Sequence, residues 1–157
     1  MKKAIAKLVP MNNVRGIVYF EETDHSNKLK ISYKIYGLSD GKHGFHVHQY
    51  GDLTEGCKSA CSHFNPIGMV HGGRHTKIRH AGDLGNITSK NGLAEGTMTA
   101  HDLALRGEKF NILGRMIIVH EDEDDLGKGT GAMREESLKT GNAGKRLSCG
   151  VIGLSAR

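Results

Sequence analysis

Apolar and polar residues alternate along much of the chain. In "KLKISYKIYGL" (Lys28–Leu38), Leu29, Ile31, Tyr33 and Ile35 fall on one face, and Lys30, Ser32 and Lys34 fall on the other. That period of two is the mark of a half-buried strand. "KKAIAKL", "VRGIVYFEE", "HGFHVH", "GDLGNIT", "GLAEGTMTA", "RMIIVH" and "GVIGL" read as further short strands. Gly, Asn, Asp and Ser clusters separate them, and "TSKNGL" at Thr88–Leu93 has the chemistry of a hairpin turn. Helical periodicity is hard to find anywhere. About eight short strands predict an all-β antiparallel sandwich or barrel. The length of 157 residues suits one domain over 1–157, without linker, low-complexity tract or internal repeat.

Two segments break the pattern. Residues 49–82 and 121–148 are long, polar and rich in glycine. Structureless connections of that length are unusual unless functional or disordered. Both adjoin strands that carry histidine, which points to loops held by something other than an apolar core, such as a metal.

Composition sharpens this. Ten histidines outnumber the four Phe and four Tyr together, and there is no Trp. Imidazole is the commonest metal ligand among side chains. The formal charge of +5 permits an anionic partner, but Lys and Arg are scattered and the largest charge cluster, "HEDEDD" at His120–Asp125, is acidic. A nucleic-acid-binding barrel would interleave aromatic stacking residues with Lys and Arg, and this chain lacks them. No run of about 18 apolar residues exists, so no membrane span is expected. "MKKAIAKLVPMNNVRG" has no adequate apolar stretch for a secretory signal, so the expected location is cytoplasmic.

"GFHVHQYGD" (Gly44–Asp52) places His46 and His48 on one face of a strand, because residues i and i+2 point the same way. "HFNPIGMVHGGRHTKIRHAGD" adds His63, His71, His75, His80 and Asp83, and "IIVHEDEDD" adds His120. A lone His on an apolar face is usually a satisfied core residue; a set spread over two strands and a long loop is not explained that way. Imidazole suits zinc, copper, iron and nickel, and an added carboxylate suits tetrahedral zinc. Cys is nearly absent from the cluster, which excludes a thiolate-rich zinc or iron–sulfur site. Gly72 and Gly73 exclude a helical zinc motif in "HGGRH". Spacing leaves open which of His63, His71, His75 and His80 bind, and whether there is one metal or two.

The stretches "GFHVHQYGD" and "GNAGKRLSCGVIG" closely resemble the two signatures of the copper/zinc superoxide dismutase family, and "HFNP", "HGG", "RHAGDLGN" and "VHEDEDDLGKG" fall in family order. The resemblance covers nearly the whole chain. It implies a flattened eight-stranded Greek-key barrel, an immunoglobulin-like sandwich with two long functional loops. It also implies one copper and one zinc per chain, conversion of superoxide to dioxygen and hydrogen peroxide, and a homodimer. A copper-delivery chaperone is the one further partner it admits. By position, His46, His48, His63 and His120 match the copper ligands, and His63, His71, His80 and Asp83 the zinc ligands, with His63 bridging. Asp124 matches the carboxylate linking a copper-side to a zinc-side histidine. Arg146 matches the arginine that holds superoxide, so Arg146 and His63 are the expected catalytic residues. Glu135, Glu136 and Lys139 match the loop that guides the anion, and Cys57 and Cys149 the intrasubunit disulfide. His75 matches no ligand and is expected at the surface. A metal-delivery domain or inactive relative on the same fold is the main rival, but such relatives lose a copper ligand or the arginine, and all are present here.

Four features depart from the family pattern. Cys61 lies two residues before His63, where an extended backbone would give them a common face. The chain is basic where many members are acidic. "GKGTGAMREESLKTG" is longer than usual by roughly one helical turn, about three residues, and carries Arg134, expected to act at long range. Lys7 occupies a position where an apolar dimer contact is common, and Leu53 lies in another contact segment.

Overall fold

The computed structural model describes residues 1–156. The strands run in chain order as β1 (Lys3–Met11), β2 (Val14–Glu22), β3 (Lys28–Tyr36), β4 (Gly41–His48), β5 (Thr54–Cys57), β6 (Asp83–Ser89), β7 (Leu93–His101), β8 (Met116–His120), β9 (Arg146–Val151) and β10 (Gly153–Leu154). Two antiparallel sheets form, in the orders β10-β1-β2-β3-β7 and β6-β4-β8-β9. Each sheet has four main strands, which matches the expected eight. The two-residue β10 and the short β5 are additions.

The alternation read from the sequence sets which faces meet. Ala4, Ala6 and Leu8 of β1, Val18 and Phe20 of β2, and Leu29, Ile31 and Ile35 of β3 are buried. They meet Phe45 and Val47 of β4 and Ile117 and Val119 of β8 in one core. Tyr33 packs on Phe45 across the layers, with ring centroids 5.6 Å apart. Each fully buried large aliphatic or aromatic side chain contributes about 1.5–3 kcal/mol.

Asn marks two tight turns. Asn12 and Asn13 join β1 to β2 at φ 52° and 62°, the left-handed pair that a tight hairpin needs and that Asn tolerates. Lys90 and Leu93 exchange backbone hydrogen bonds of 3.0 and 3.1 Å around Asn91-Gly92. That turn joins strands of different sheets, so it forms a corner between layers and not the hairpin expected at Thr88–Leu93.

The two long segments differ from expectation. Residues 49–82 contain β5 and a 3-10 turn at Lys58–Ala60, and the second segment ends at 145 because β9 begins at Arg146. Inside the second lies a 3-10 turn at Gly131–Met133 leading into α1 (Arg134–Thr140). Seven residues span two turns, too short for a periodic apolar stripe. What marks α1 is its ends: Glu135 and Glu136 in the first turn, Lys139 in the last, and Gly141 at φ 75° closing it.

Candidate metal centre

Strand β4 is buried on both faces. Phe45 and Val47 point into the core, so His46 and His48 point the other way. On that outer face the two long loops replace water. Strand β8 pairs with β4 in the register His46↔Ile118 and His48↔Met116, which brings His120 to the same face. His46, His48, His63, His71, His80, Asp83, His120 and Asp124 are all buried.

Two sets of four donors form. The donor atoms of His46, His48, His63 and His120 lie within 4.8 Å of one another, as do those of His46, His63, His71 and Asp83. His80 belongs to neither set, yet its Nδ1 is 3.2 Å from His63 Nδ1 and 3.2 Å from Asp83 Oδ1. His63 stands in both sets, and its Nδ1 is 2.9 Å from Asp83 Oδ1.

Hydrogen bonds decide which ring nitrogen is left over. His48 Nδ1 donates to the Cys61 carbonyl at 2.8 Å, and His120 Nδ1 to that of Gly144 at 3.3 Å. Their Nε2 atoms are thereby left as acceptors, 3.4 Å apart. Asp124 accepts from His46 Nε2 at 2.6 Å and from His71 Nε2 at 2.7 Å. That turns Nδ1 of both rings inward. His46 Nδ1 and His71 Nδ1 are the only buried side-chain polar atoms without a hydrogen-bond partner among the described residues. His71 Nδ1 approaches Asp83 Oδ1 to 3.0 Å without hydrogen-bond alignment.

These separations fit metal ions. Bonds of about 2.0–2.1 Å place tetrahedral ligand atoms about 3.3 Å apart, and the donor pairs above lie at 2.9 to 3.4 Å. Orphaned imidazole nitrogens suit copper or zinc, and a carboxylate among histidines suits zinc.

Electrostatics agree. Burial, reinforced by repulsion from His63 and His120, pushes the His46 and His48 pKa values well down. Burial and His63 bring His120 to about 3. These rings are neutral at physiological pH, the ligating form. Burial also opposes a charge on His71, but the hydrogen bond to Asp124 and the nearby Asp83 carboxylate carry it up to about 9 in the metal-free chain. Asp83 stays ionised: although burial opposes it, hydrogen bonds from His63, His71 and His80 hold it well below the usual carboxylate range. A metal on His71 Nδ1 therefore displaces a proton at neutral pH.

A cavity of about 820 Å³ opens over His48, His63 and His120 and is also lined by Arg146, Glu136 and Lys139. Arg146 is aimed by three carbonyls: Nη1 donates to Cys57 at 2.8 Å and Lys58 at 3.3 Å, and Nη2 to Cys61 at 2.6 Å. Glu135 does not line the cavity; it pairs with Lys139 along α1 at 3.3 Å. Arg134 folds back on its own loop, donating to the Gly127 carbonyl at 2.8 Å. His75 is exposed, as are Lys7 and Leu53. Cys57 and Cys149 are joined, closing 92 residues. A loop of that size is worth about 4–5 kcal/mol on the chain-entropy account.

Cys61 departs from the extended geometry expected of it. It sits at φ 60°, ψ −142°, with its thiol exposed and 3.6 Å from the Ser59 carbonyl. Its carbonyl, not its sulfur, faces the centre. Gly141 escaped the sequence reading altogether. A Cβ there would collide with Asp124 Oδ1 and His71 Nε2, so a bare α-carbon makes room for their hydrogen bond. Only its place after "REESLKT" could have marked it as a helix end.

Comparison with known proteins places this geometry. The family model for copper/zinc superoxide dismutase (SODC) matches residues 14–152. An extracellular copper/zinc superoxide dismutase of Onchocerca volvulus is 52% identical over 156 residues, 99% of this chain and 77% of the relative. A copper/zinc superoxide dismutase of Paramecium bursaria Chlorella virus 1 is 59% identical over 144 residues, 90% of this chain and 74% of the relative. Copper/zinc superoxide dismutase A of Xenopus laevis is 50% identical over 154 residues, 98% of this chain and 99% of the relative. The extracellular relative overturns the expectation of a cytoplasmic protein. The reason is physical: a folded domain and its metal centre do not fix the compartment in which they work.

Proposed function

The chain belongs to the copper/zinc superoxide dismutase family and is an oxidoreductase acting on superoxide with copper and zinc; from that premise we propose which residues do the work. Copper would be held by His46 Nδ1, His48 Nε2, His63 and His120 Nε2, and zinc by His63 Nδ1, His71 Nδ1, His80 Nδ1 and Asp83. The observation that carries the assignment is the pair of orphaned Nδ1 atoms on His46 and His71, turned inward by one carboxylate, Asp124. His46 stands in both donor sets, but its one free nitrogen serves one ion. His80, 3.2 Å from Asp83, takes the fourth zinc position.

When bound, copper supplies a one-electron redox couple and zinc a fixed positive charge. Two superoxide anions and two protons become dioxygen and hydrogen peroxide. Arg146 receives each anion in the cavity beside His48, His63 and His120; its guanidinium stays charged and presents several donors. Its three carbonyl partners hold it there without cancelling its charge. His63 keeps Nδ1 toward Asp83 and His80, which frees Nε2 to hold a proton and yield it to the departing peroxide. Glu136 and Lys139 shape the field at the mouth.

One domain carries all of this, and two copies pair. Leu53, Tyr50, Val151 and Leu154 leave apolar surface exposed, suited to a twofold contact in which each patch occurs twice, with Lys7 at its rim. The Cys57–Cys149 disulfide and the extracellular relative support an oxidising setting outside the cell. Elemental analysis with pulse radiolysis tests the assignment. One copper and one zinc per chain are expected, with both metals disturbed by His63→Ala; a single metal per chain, or no dismutase activity when both are bound, refutes it.

A further inference from the structure

The mouth of the cavity poses a loading problem. A channel that draws in an anion resists a cation. Lys139 and Arg146 line it, and the one carboxylate there, on Glu136, is engaged by Thr140 Oγ1 at 2.9 Å. Carboxylates added to attract copper would repel superoxide. A neutral donor selective for copper avoids that conflict, and thioether sulfur is one: it is soft and prefers copper(I) to zinc.

Two methionines occupy the rim. Apart from Met1, the only exposed methionines among the described residues are Met69, 40% exposed, and Met133, 53% exposed. Both line the cavity that holds His48, His63 and His120. They come from different walls, Met69 from the segment 49–82 and Met133 from the 3-10 turn before α1. Both backbones are pinned. Asn65 brackets Met69, accepting from its N–H at 3.0 Å and donating to its carbonyl at 2.9 Å. The Met133 carbonyl accepts from Asn142 Nδ2 at 3.1 Å, and its N–H donates to Thr130 at 3.1 Å. Val70, 47% exposed, lines the cavity too, but only the two methionines bring sulfur to its wall.

We propose that Met69 and Met133 form a transient capture site for copper(I), from which the ion passes inward to the imidazoles. The sulfurs donate lone pairs, and the Nε2 atoms of His48 and His120 replace them in turn. No electron is transferred. No proton is released either, because thioether sulfur carries none and His48 and His120 keep theirs on Nδ1, bonded to the Cys61 and Gly144 carbonyls. The inference rests on the copper reading of the His46–His48–His63–His120 set.

Leucine keeps the apolar volume and removes the sulfur, so Met69→Leu/Met133→Leu isolates the donor. Copper(I) is offered as its bicinchoninate complex to zinc-loaded, copper-free protein, and uptake is followed by loss of the complex's colour. The double variant is expected to load about tenfold more slowly, the change that losing about 1.4 kcal/mol of capture affinity gives, and to reach the same final copper content. In protein carrying zinc at both centres, silver(I) is expected to shift the methyl signals of Met69 and Met133 saturably. Equal loading rates, or silver shifts confined to Met1, overturn the proposal. A wild-type chain that retains no copper at all refutes the metal assignment itself, and the capture site with it.

Discussion

Replacing Cys61 with glycine should make the protein more stable. Cys61 is held at φ 60°, ψ −142°, a region open to glycine and costly for any residue with a Cβ, by about 1–3 kcal/mol. The conformation persists because its carbonyl is claimed twice, by His48 Nδ1 at 2.8 Å and Arg146 Nη2 at 2.6 Å. Glycine keeps that carbonyl and removes the Cβ. Against this, a new glycine frees the unfolded chain and takes back about 0.4–1 kcal/mol. The thiol contact to Ser59 is weak and exposed, so its loss counts for little. The net gain is about 1 kcal/mol, or about 2–4 °C in Tm for a chain of this size. Cys61→Ser keeps the Cβ and the strain, so it should stay within about 0.5 kcal/mol of wild type. Differential scanning calorimetry of metal-free, disulfide-intact protein reads folding alone. Dismutase activity should be unchanged in both variants, and disulfide-scrambled species should disappear in both. If Cys61→Gly melts no higher than Cys61→Ser, the backbone there is unstrained and the reasoning fails.

Three other outcomes follow from the same geometry. Asp124→Asn accepts from one ring only; His46 is still held by β4, whereas His71 lies on a loop, so zinc affinity should fall by about 10–100-fold and copper affinity by less, with the reverse order in a chelator titration refuting this. Arg146→Ala should lower the second-order rate about tenfold at low salt, and Arg134→Ala less than about twofold, since exposed charges are screened within about 8–10 Å; equal losses in pulse radiolysis would place Arg134 in the channel. Hydrogen bonds from Arg106 hold the Glu22 carboxyl at about 2 against an ordinary 4.5, so its contribution is present above pH 4.5 and lost as pH falls through 2; carboxyl NMR should show its pKa rising toward 4.5 in Arg106→Ala, and no change would sink the attribution.

The sequence carried the frame of this molecule further than its loops. Strand β2 was legible to the residue because "VRGIVYFEE" alternates and ends in charges. The helix α1 was not, because two turns leave no stripe and only its end residues mark it. His46 and His48 could be placed on one face from strand periodicity, whereas His120 joins them only through the register of β4 with β8. The division of the loop histidines between two metals could not, since spacing carries no direction for a ring nitrogen; only the resemblance divided them. Cys61 was read for its sulfur when its carbonyl is what matters, and main-chain roles of that kind leave no trace in residue type. The cytoplasmic expectation failed because location is an address, and the folded domain does not carry it.

The stretch Thr130–Arg134 of the second long loop is fenced from the Asp124 carboxylate. Asp125 accepts from Ser137 Oγ at 2.7 Å and Asn142 Nδ2 at 2.8 Å, and Ser137 Oγ accepts from the Gly129 N–H at 2.9 Å. These bonds tie the loop's two ends together across Thr130–Arg134. Length added between them is absorbed outside the clasp and never reaches the Asp124 carboxylate next door. The turn at Gly131–Met133 is thus an interchangeable cassette. A lineage, or an engineer grafting a reporter, can lengthen or rewrite it to alter what the doorway admits while the redox chamber behind keeps its dimensions.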